Sequence, residues 1–403
     1  MDKLQNIVNY AYENVNYYNK LYKDINDINY ILFEKLPLVY KKDLQNDLYS
    51  FISKNFDVNF LFKENTSGSS GKTLTIYKDS IERTKADLNL WRMRRKYNKN
   101  ILNAKIIKFY AYRRQGDKLI SDPVYFNENE INLSLFDLSD DRLFEYTEIV
   151  KEAGECWFFA APSVMLIYAN FIKKHNISLP NVVFIELTGE MVTKQQEEYI
   201  SECFDCDCAN HYGSREFWGI AYECKCGNLH VFDDYVYVEV VDEHGNNLGY
   251  NKEGNLCYTG LEKYAMPLIR YIQGDIGYIK KSDCQCGLTS DILCLSGGRI
   301  TEYISKKNGE SINSIILFFI IELINKNNNI NLQFQFVQKA YSVFNVYLVL
   351  ANKNIEESIV VKQLKELMSY YLKESIELNI EFVDKVDLDE RSKKHKYFIN
   401  QCI

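Results

Sequence analysis

The segment Thr66-Ser67-Gly68-Ser69-Ser70-Gly71-Lys72-Thr73 constrains the fold of this chain more than any other stretch. Seven of its eight residues are Gly, Ser or Thr, and the eighth is a lysine beside the second glycine. Such a run has no apolar face to bury, so it must be a turn. Its flanks indicate what it joins. Phe60-Leu61-Phe62 reads as a short buried strand, and Thr73-Leu74-Thr75-Ile76-Tyr77 alternates and is β-branched, so it reads as a second strand. A glycine-rich turn between two strands is rigid. Its small residues let backbone N–H groups approach an anion, its hydroxyls donate, and its ammonium adds charge. That chemistry suits a polyphosphate; taken alone, the segment also reads as a plain flexible turn. It is not the G-x-x-x-x-G-K-[ST] phosphate loop, because Thr66 stands where that pattern needs glycine.

A chain of 403 residues exceeds one ordinary core, so two domains, or one large α/β body with a small appendage, are expected. Apolar residues make up 46% and aromatic residues 14%, as in a well-packed soluble protein. The net charge of −7 argues against general nucleic-acid binding, which needs concentrated positive charge. Arg92, Arg94, Arg95, Lys96 and Lys99 form the one early basic cluster, read as the solvated face of a helix. The start, Met1-Asp2-Lys3-Leu4-Gln5-Asn6, is polar and predicts no export signal. No apolar run reaches roughly 18 residues, so no membrane span is expected. A cytoplasmic setting follows, and the 11 cysteines are expected to be reduced thiols or metal ligands.

Helical spacing over 3–23, from about Lys42, and over 80–100, 163–175 and 193–203 alternates with strand-like runs at 104–110 and 181–187. This predicts an α/β class: a large multi-layer N-terminal body of sheets flanked by helices. From about 229 short strands take over, at Tyr235–Val241 and Gly254–Thr259, giving a β-rich subdomain. The last hundred residues read as a small α+β domain, with helices near 312–326 and 355–373 and strands near 331–351 and 377–384. The boundary is placed at 300/301.

Four further segments carry polar chemistry. Tyr212-Gly213-Ser214-Arg215-Glu216 offers a flat ring for a purine and a carboxylate for a hard cation. Asp275, between Gly274 and Gly277 after the apolar Pro267–Ile272 run, can accept hydrogen bonds from a vicinal diol; an Asx turn is the other reading. Gly297-Gly298-Arg299-Ile300-Thr301-Glu302 marks a turn at the border of the final unit. Glu390–Phe398 is a basic tail containing Lys394, His395 and Lys396.

In this order and spacing, with Tyr17–Tyr22, Leu36-Pro37-Leu38, Pro162-Ser163 and Thr188-Gly189-Glu190, the chain resembles the adenylate-forming superfamily, in its phenylacetate–CoA ligase-like and capsular-polysaccharide-type branch. The resemblance covers nearly the whole chain. It implies that Thr66, Ser67, Gly68, Ser69, Ser70, Gly71 and Lys72 hold the β- and γ-phosphates of ATP. It implies that Tyr212 stacks on adenine beside Gly213 and Ser214, that Glu216 ligates Mg2+, and that Asp275 binds the ribose. Gly189 and Glu190 would line the nucleotide site, and Arg299 would sit at the ribose and the inter-domain joint. The adenylation lysine corresponds to Lys396, with His395 in place of the usual glycine and Lys394 as competitor; Glu302 stands at the hinge where Asp is usual. The implied reaction is ATP-dependent conversion of a carboxylic acid to an acyl-adenylate and pyrophosphate, then transfer to a thiol such as CoA. Transfer to an amine, a hydroxyl or a carrier-protein thiol is an alternative, and a nucleotide-binding scaffold without catalysis is another. The partners implied are the small acid and its acceptor, with a homodimer compatible.

Cys224-Lys225-Cys226-Gly227 and Cys284-Gln285-Cys286-Gly287 repeat one tetrapeptide. Glycine after the second cysteine permits a knuckle that turns two sulfurs inward, and four thiolates make a closed structural Zn2+ site. His230 reads as a structural histidine near the first knuckle, and Cys206 and Cys208 as core thiols. Tyr110, Tyr112, Phe158, Pro162, Phe217 and Trp218 are candidates for an aromatic acyl pocket, each equally readable as core.

Overall fold

The computed structural model describes residues 2–24, 33–66, 74–110, 113–115, 118–120, 123–135, 137–189, 192, 194–297, 303–328, 330, 332–350, 355–383 and 398–402. A single mixed sheet organises the first three hundred residues. Five of its strands, Glu130–Ser134, Lys105–Tyr110, Cys156–Ala160, Val182–Thr188 and Cys208–Tyr212, lie side by side and parallel in that order. Beyond Cys208–Tyr212 the direction reverses. Ala221–Glu223, Leu229–Val231, Ile292–Gly297, Tyr271–Lys280, Gly254–Gly260 and Val236–Val241 follow, each antiparallel to its neighbour. The α/β body and the β-rich subdomain read from the sequence are thus two halves of one sheet.

Helices cover the parallel half because its strands are apolar on both faces. Asp140–Glu152, Pro162–Lys174 and Lys194–Phe204 pack on one side, around Phe158, Tyr168, Ile185 and Phe204. Ser80–Tyr97 and the first helices, Asp2–Asn14 and Asn16–Leu21, pack on the core that includes Trp157, Phe184 and the antiparallel strands. Asp79 starts the Ser80–Tyr97 helix by accepting from the N–H groups of Ile81 at 2.7 Å and Glu82 at 2.9 Å. Proline at the start of Pro162–Lys174 costs no hydrogen bond there.

The final unit has its own core. Strands Leu332–Ala340, Val343–Leu350, Glu377–Phe382 and Phe398–Asn400 form one sheet, packed on helices Ile315–Asn328 and Glu357–Leu372 through Phe336, Val346, Leu364 and Met368. Among the described residues no helix is long and apolar enough to cross a membrane.

Two local expectations are corrected. Phe60-Leu61-Phe62 is not a buried strand. Val58–Phe60 is a short 3-10 turn started by Asp57, whose Oδ1 accepts from Asn59 N at 2.9 Å. The strand begins at Phe62, in a two-stranded hairpin with Leu74–Lys78, and Phe60 and Phe62 are exposed. Nor is the basic cluster uniformly solvated, because Arg94 is buried against the sheet.

Candidate active site

The parallel strands end together, and the crevice beyond the carboxyl ends of such strands, where the topology switches, is where an α/β sheet binds ligands. Here the switch falls after Tyr212, and the predicted Tyr212–Glu216 motif forms the turn that makes it. Gly213 is required by contact: a Cβ on it would lie 1.8 Å from the Trp218 carbonyl oxygen. The turn closes on itself, with Trp218 N donating to Ser214 O at 2.6 Å and Phe217 N to Ser214 Oγ at 3.3 Å. Trp218 takes φ +63°, unusual for a bulky residue.

This turn buries the Glu216 carboxylate, whose Oε1 accepts from the Tyr271 hydroxyl at 3.2 Å. Tyr271 opens the strand that carries Asp275. The Tyr212 hydroxyl donates to Asp275 Oδ2 at 2.7 Å and lies 2.7 Å from the Tyr258 hydroxyl. Burial, then the neighbouring Tyr258 and Asp275, raise the Tyr212 phenol well above its usual range, so it stays protonated and donates. Tyr212 and Asp275 are thus in direct contact, and Glu216 is bonded to Tyr271 at the start of the strand that carries Asp275.

The hairpin Phe62–Thr66 with Leu74–Lys78 abuts the same turn. Its strands pair from Phe62↔Lys78 to Thr66↔Leu74. Lys78, at the hairpin base, is buried 3.0 Å from Glu64 Oε2, with its ammonium 5.1 Å from the Trp218 ring centroid. Gly189 ends the neighbouring strand with φ +87°. Ser67, Gly68, Ser69, Ser70, Gly71, Lys72, Tyr112, Glu190, Arg299, Glu302, Lys394 and Lys396 lie outside the described residues.

Beneath this crevice lies a charged network that the sequence reading missed. Arg94 grips Glu186 through two hydrogen bonds, Nε to Oε2 at 2.7 Å and Nη2 to Oε1 at 2.9 Å. The Tyr222 hydroxyl donates to Oε2 at 2.6 Å, and His211 Nδ1 lies 3.0 Å from Oε1. Burial alone would raise the Glu186 carboxyl, but the charge and hydrogen bonds of Arg94, joined by His211, hold it well below the usual carboxylate range. The signal was present: Glu186 is the one charged residue in the apolar run Val182–Leu187, and a buried carboxylate needs a partner.

The two cysteine knuckles converge at the far end of the antiparallel half. Ligand atoms of Cys224, His230, Cys284 and Cys286 lie within 4.8 Å of one another. Cys224 and Cys284 sulfurs are 3.6 Å apart, and Cys286 Sγ is 3.3 Å from His230 Nε2. Tetrahedral zinc with bonds of about 2.3 Å to sulfur and about 2.0 Å to nitrogen sets sulfurs roughly 3.8 Å apart, so these donors fit the ion. His230 Nδ1 faces the Ser290 carbonyl at 3.2 Å, which leaves the Nε2 lone pair toward the sulfurs, as in a metal-binding histidine. Cys226 is exposed and outside this group of four, although its thiol interacts with those of Cys284 and Cys224. Beside Cys224, a polar cleft is lined by Lys194, Glu197, Ser201, Asp207 and Glu223.

No protein-family model matches the chain. It is 22% identical over 406 residues to the protein CapK of Staphylococcus aureus, spanning 99% of this chain and 88% of that one. It is 32% identical over 136 residues to the phenylacetate–coenzyme A ligase of Thermus thermophilus, 32% of this chain and 30% of the ligase. Among solved structures, 2-hydroxyisobutyryl-CoA ligase with 2-HIB-AMP and CoA in the thioesterification state superposes at a TM-score of 0.64 and 15% identity, covering 99% of this chain and 88% of the other. The fold is that of the adenylate-forming enzymes. In sequence, the chain is similar to CapK over nearly its whole length and to phenylacetate–coenzyme A ligases over part of it.

Proposed function

We propose that this chain activates a carboxylic acid with ATP, forming an acyl-adenylate and pyrophosphate, and then passes the acyl group to a thiol such as that of CoA. The observation that supports this reading is the contact of Tyr212 with Asp275 at the switch point of the sheet, with Glu216 bonded to Tyr271 on the Asp275 strand; the family resemblance assigns Tyr212, Glu216 and Asp275 to one nucleotide. A carboxylate is a poor electrophile, and attack on the innermost phosphorus of ATP turns it into a good one. The protein's part is to position both reactants and to offset phosphate charge.

In this reading Tyr212 presents its ring to adenine and Asp275 accepts from the ribose hydroxyls. Thr66, Ser67, Gly68, Ser69, Ser70, Gly71 and Lys72 hold the outer phosphates, and Gly213, Ser214, Gly189 and Glu190 also bind the nucleotide. Glu216 would hold Mg2+, whose chemistry is to offset phosphate charge. Arg299 joins the ribose to the joint between a 1–300 body and a 301–403 domain carrying Lys396, the lysine for the α-phosphate. Zinc would be structural, since Cys224, His230, Cys284 and Cys286 leave no open position.

The deciding experiment is ATP–pyrophosphate exchange across a panel of carboxylic acids. Exchange with at least one acid, and its loss in Lys396→Ala, is the expected result. ATP binding without exchange for any acid would leave only a nucleotide-binding scaffold. Exchange followed by release of the acid to an amine or hydroxyl, with CoA inert, would reassign the acceptor.

A further inference from the structure

Among the described residues, Nε2 of His211, beside Tyr212, is a buried nitrogen with no hydrogen-bond partner. The ring is 5% exposed. It stands one residue before Tyr212, at the carboxyl end of its strand, beside Thr188, whose hydroxyl donates to the His211 carbonyl at 2.9 Å. Its two nitrogens face different surroundings. Nδ1 faces Glu186 at 3.0 Å. Nε2 lies over Gly213, 3.0 Å from the point a Cβ there would occupy. Tyr222 stacks on the ring at 5.8 Å, and Phe159, from the end of another parallel strand, lies at 6.3 Å.

The network orients this histidine. Glu186 is a carboxylate held by Arg94 and can only accept, so Nδ1, facing it, is the donor nitrogen of the ring, and Nε2 is the nitrogen left to accept. A buried acceptor left open costs about 1–3 kcal/mol. A phenylalanine or leucine would fill the space without that cost. The arrangement makes sense if something donates to Nε2 when the site is filled.

We propose that His211 is a specificity residue: its Nε2 accepts a hydrogen bond from a hydroxyl or amine carried by the acyl group. Glu186, held by Arg94, is the positioning residue that sets the tautomer. The inference rests on the carboxylate-activation reading above and deepens it by naming the substrate class, acids that bear a hydrogen-bond donor. A site built to pair such a group rejects the analogue lacking it far more strongly than a greasy pocket rejects a methylene.

Exchange is measured with matched acids: mandelate and 4-hydroxyphenylacetate against phenylacetate, lactate and alanine against propionate, and 4-aminobenzoate against benzoate. The donor-bearing member of at least one pair is favoured by roughly 100-fold or more in kcat/KM. The hydroxyl and amine members tell the two donors apart. His211→Leu collapses the ratio toward one, His211→Gln keeps part of it because its amide oxygen can accept, and Glu186→Gln lowers it. Melting and ATP binding are followed for each variant, and if His211→Leu does not fold, the wild-type and His211→Gln ratios decide. Equal rates across every pair, or an unchanged ratio in His211→Leu, overturns this inference and leaves the ligase reading standing. No exchange with any acid overturns both.

Discussion

The Tyr212 phenol and the Asp275 carboxylate are joined by a 2.7 Å hydrogen bond across 63 residues of chain. The bond ties the last residue of the parallel half to the middle of an antiparallel strand. It leaves Asp275 with acceptor capacity, since a carboxylate has about four lone-pair sites. Asp275→Asn removes the charge that would favour two ribose donors, so KM for ATP in the exchange reaction should rise about 10- to 100-fold, with a smaller change in kcat. Tyr212→Phe keeps the ring and loses only the tether, and its effect should be several-fold weaker. Equal effects of the two would argue against a separate role for the carboxylate.

Gly213 has no room for a side chain, and the obstacle is backbone, the Trp218 carbonyl. Gly213→Ala must therefore open the turn that carries Ser214 and Glu216, and exchange activity should fall more than about 100-fold. Gly249→Ala is the control. That glycine sits at φ +73° with nothing within 4 Å, so only backbone strain is added, about 1 kcal/mol. Melting curves and exchange rates for both variants check the comparison.

Arg94→Met would leave the Glu186 carboxylate buried without its counter-charge. Truncating one partner of a buried pair typically costs about 3–5 kcal/mol. Replacing both, as Arg94→Met with Glu186→Leu, should recover much of that loss, which urea titrations of the two single variants and the double variant can measure. A double variant no better than the singles would mean that Tyr222 and His211 need the carboxylate themselves.

Much of this fold was legible because its strongest signals are local. The apolar Val182–Leu187 run, the alternating Thr73–Tyr77 run and the helical spacing near 163–175 each point to their own element. What escaped was side-chain destination. Arg94 follows Arg92 and precedes Arg95 and Lys96, so its sequence neighbourhood looks like solvent, and only the helix's angle to the sheet sends that one arginine inward to Glu186. His230 was similarly masked. The repeated Cys-x-Cys-Gly pattern draws attention to four sulfurs, but two sulfurs of one Cys-x-Cys need not face the same way on a tight knuckle. The strand leaving the first knuckle, Leu229–Val231, brings an imidazole within 4.8 Å of the Cys224, Cys284 and Cys286 sulfurs, which the cysteine pattern alone does not show. Phe60-Leu61-Phe62 misled because hairpin edges leave aromatic residues exposed that a buried strand would cover.

The zinc reading makes a contrast between neighbours. Purified protein should contain about one zinc per chain. His230→Ala and Cys284→Ser should each lose metal and lower the melting temperature, whereas Cys226→Ser should keep both. Removing metal with a chelator should destabilise the protein before it affects ATP binding, because the knuckles sit away from Tyr212 and Asp275. Metal retained in His230→Ala and lost in Cys226→Ser would restore the four-cysteine set.

Stability should also depend on pH through the cleft beside the first knuckle. Burial first, and the neighbouring Glu223 second, push the Glu197 carboxyl up to about 7. The folded protein thus holds a proton that the unfolded chain releases near its ordinary value of about 4.3. Where the folded state binds more protons, stability falls as pH rises. The contribution from Glu197 is full below about pH 4, declines through pH 5 and 6, and is gone above about pH 7. Glu197→Gln cannot lose a proton, so it should melt at higher temperature than the wild type at pH 8 and close to it at pH 4.5. Melting temperatures of the two proteins across that range test the sign directly, and parallel curves would show that the Glu197 carboxyl is not raised in the folded protein.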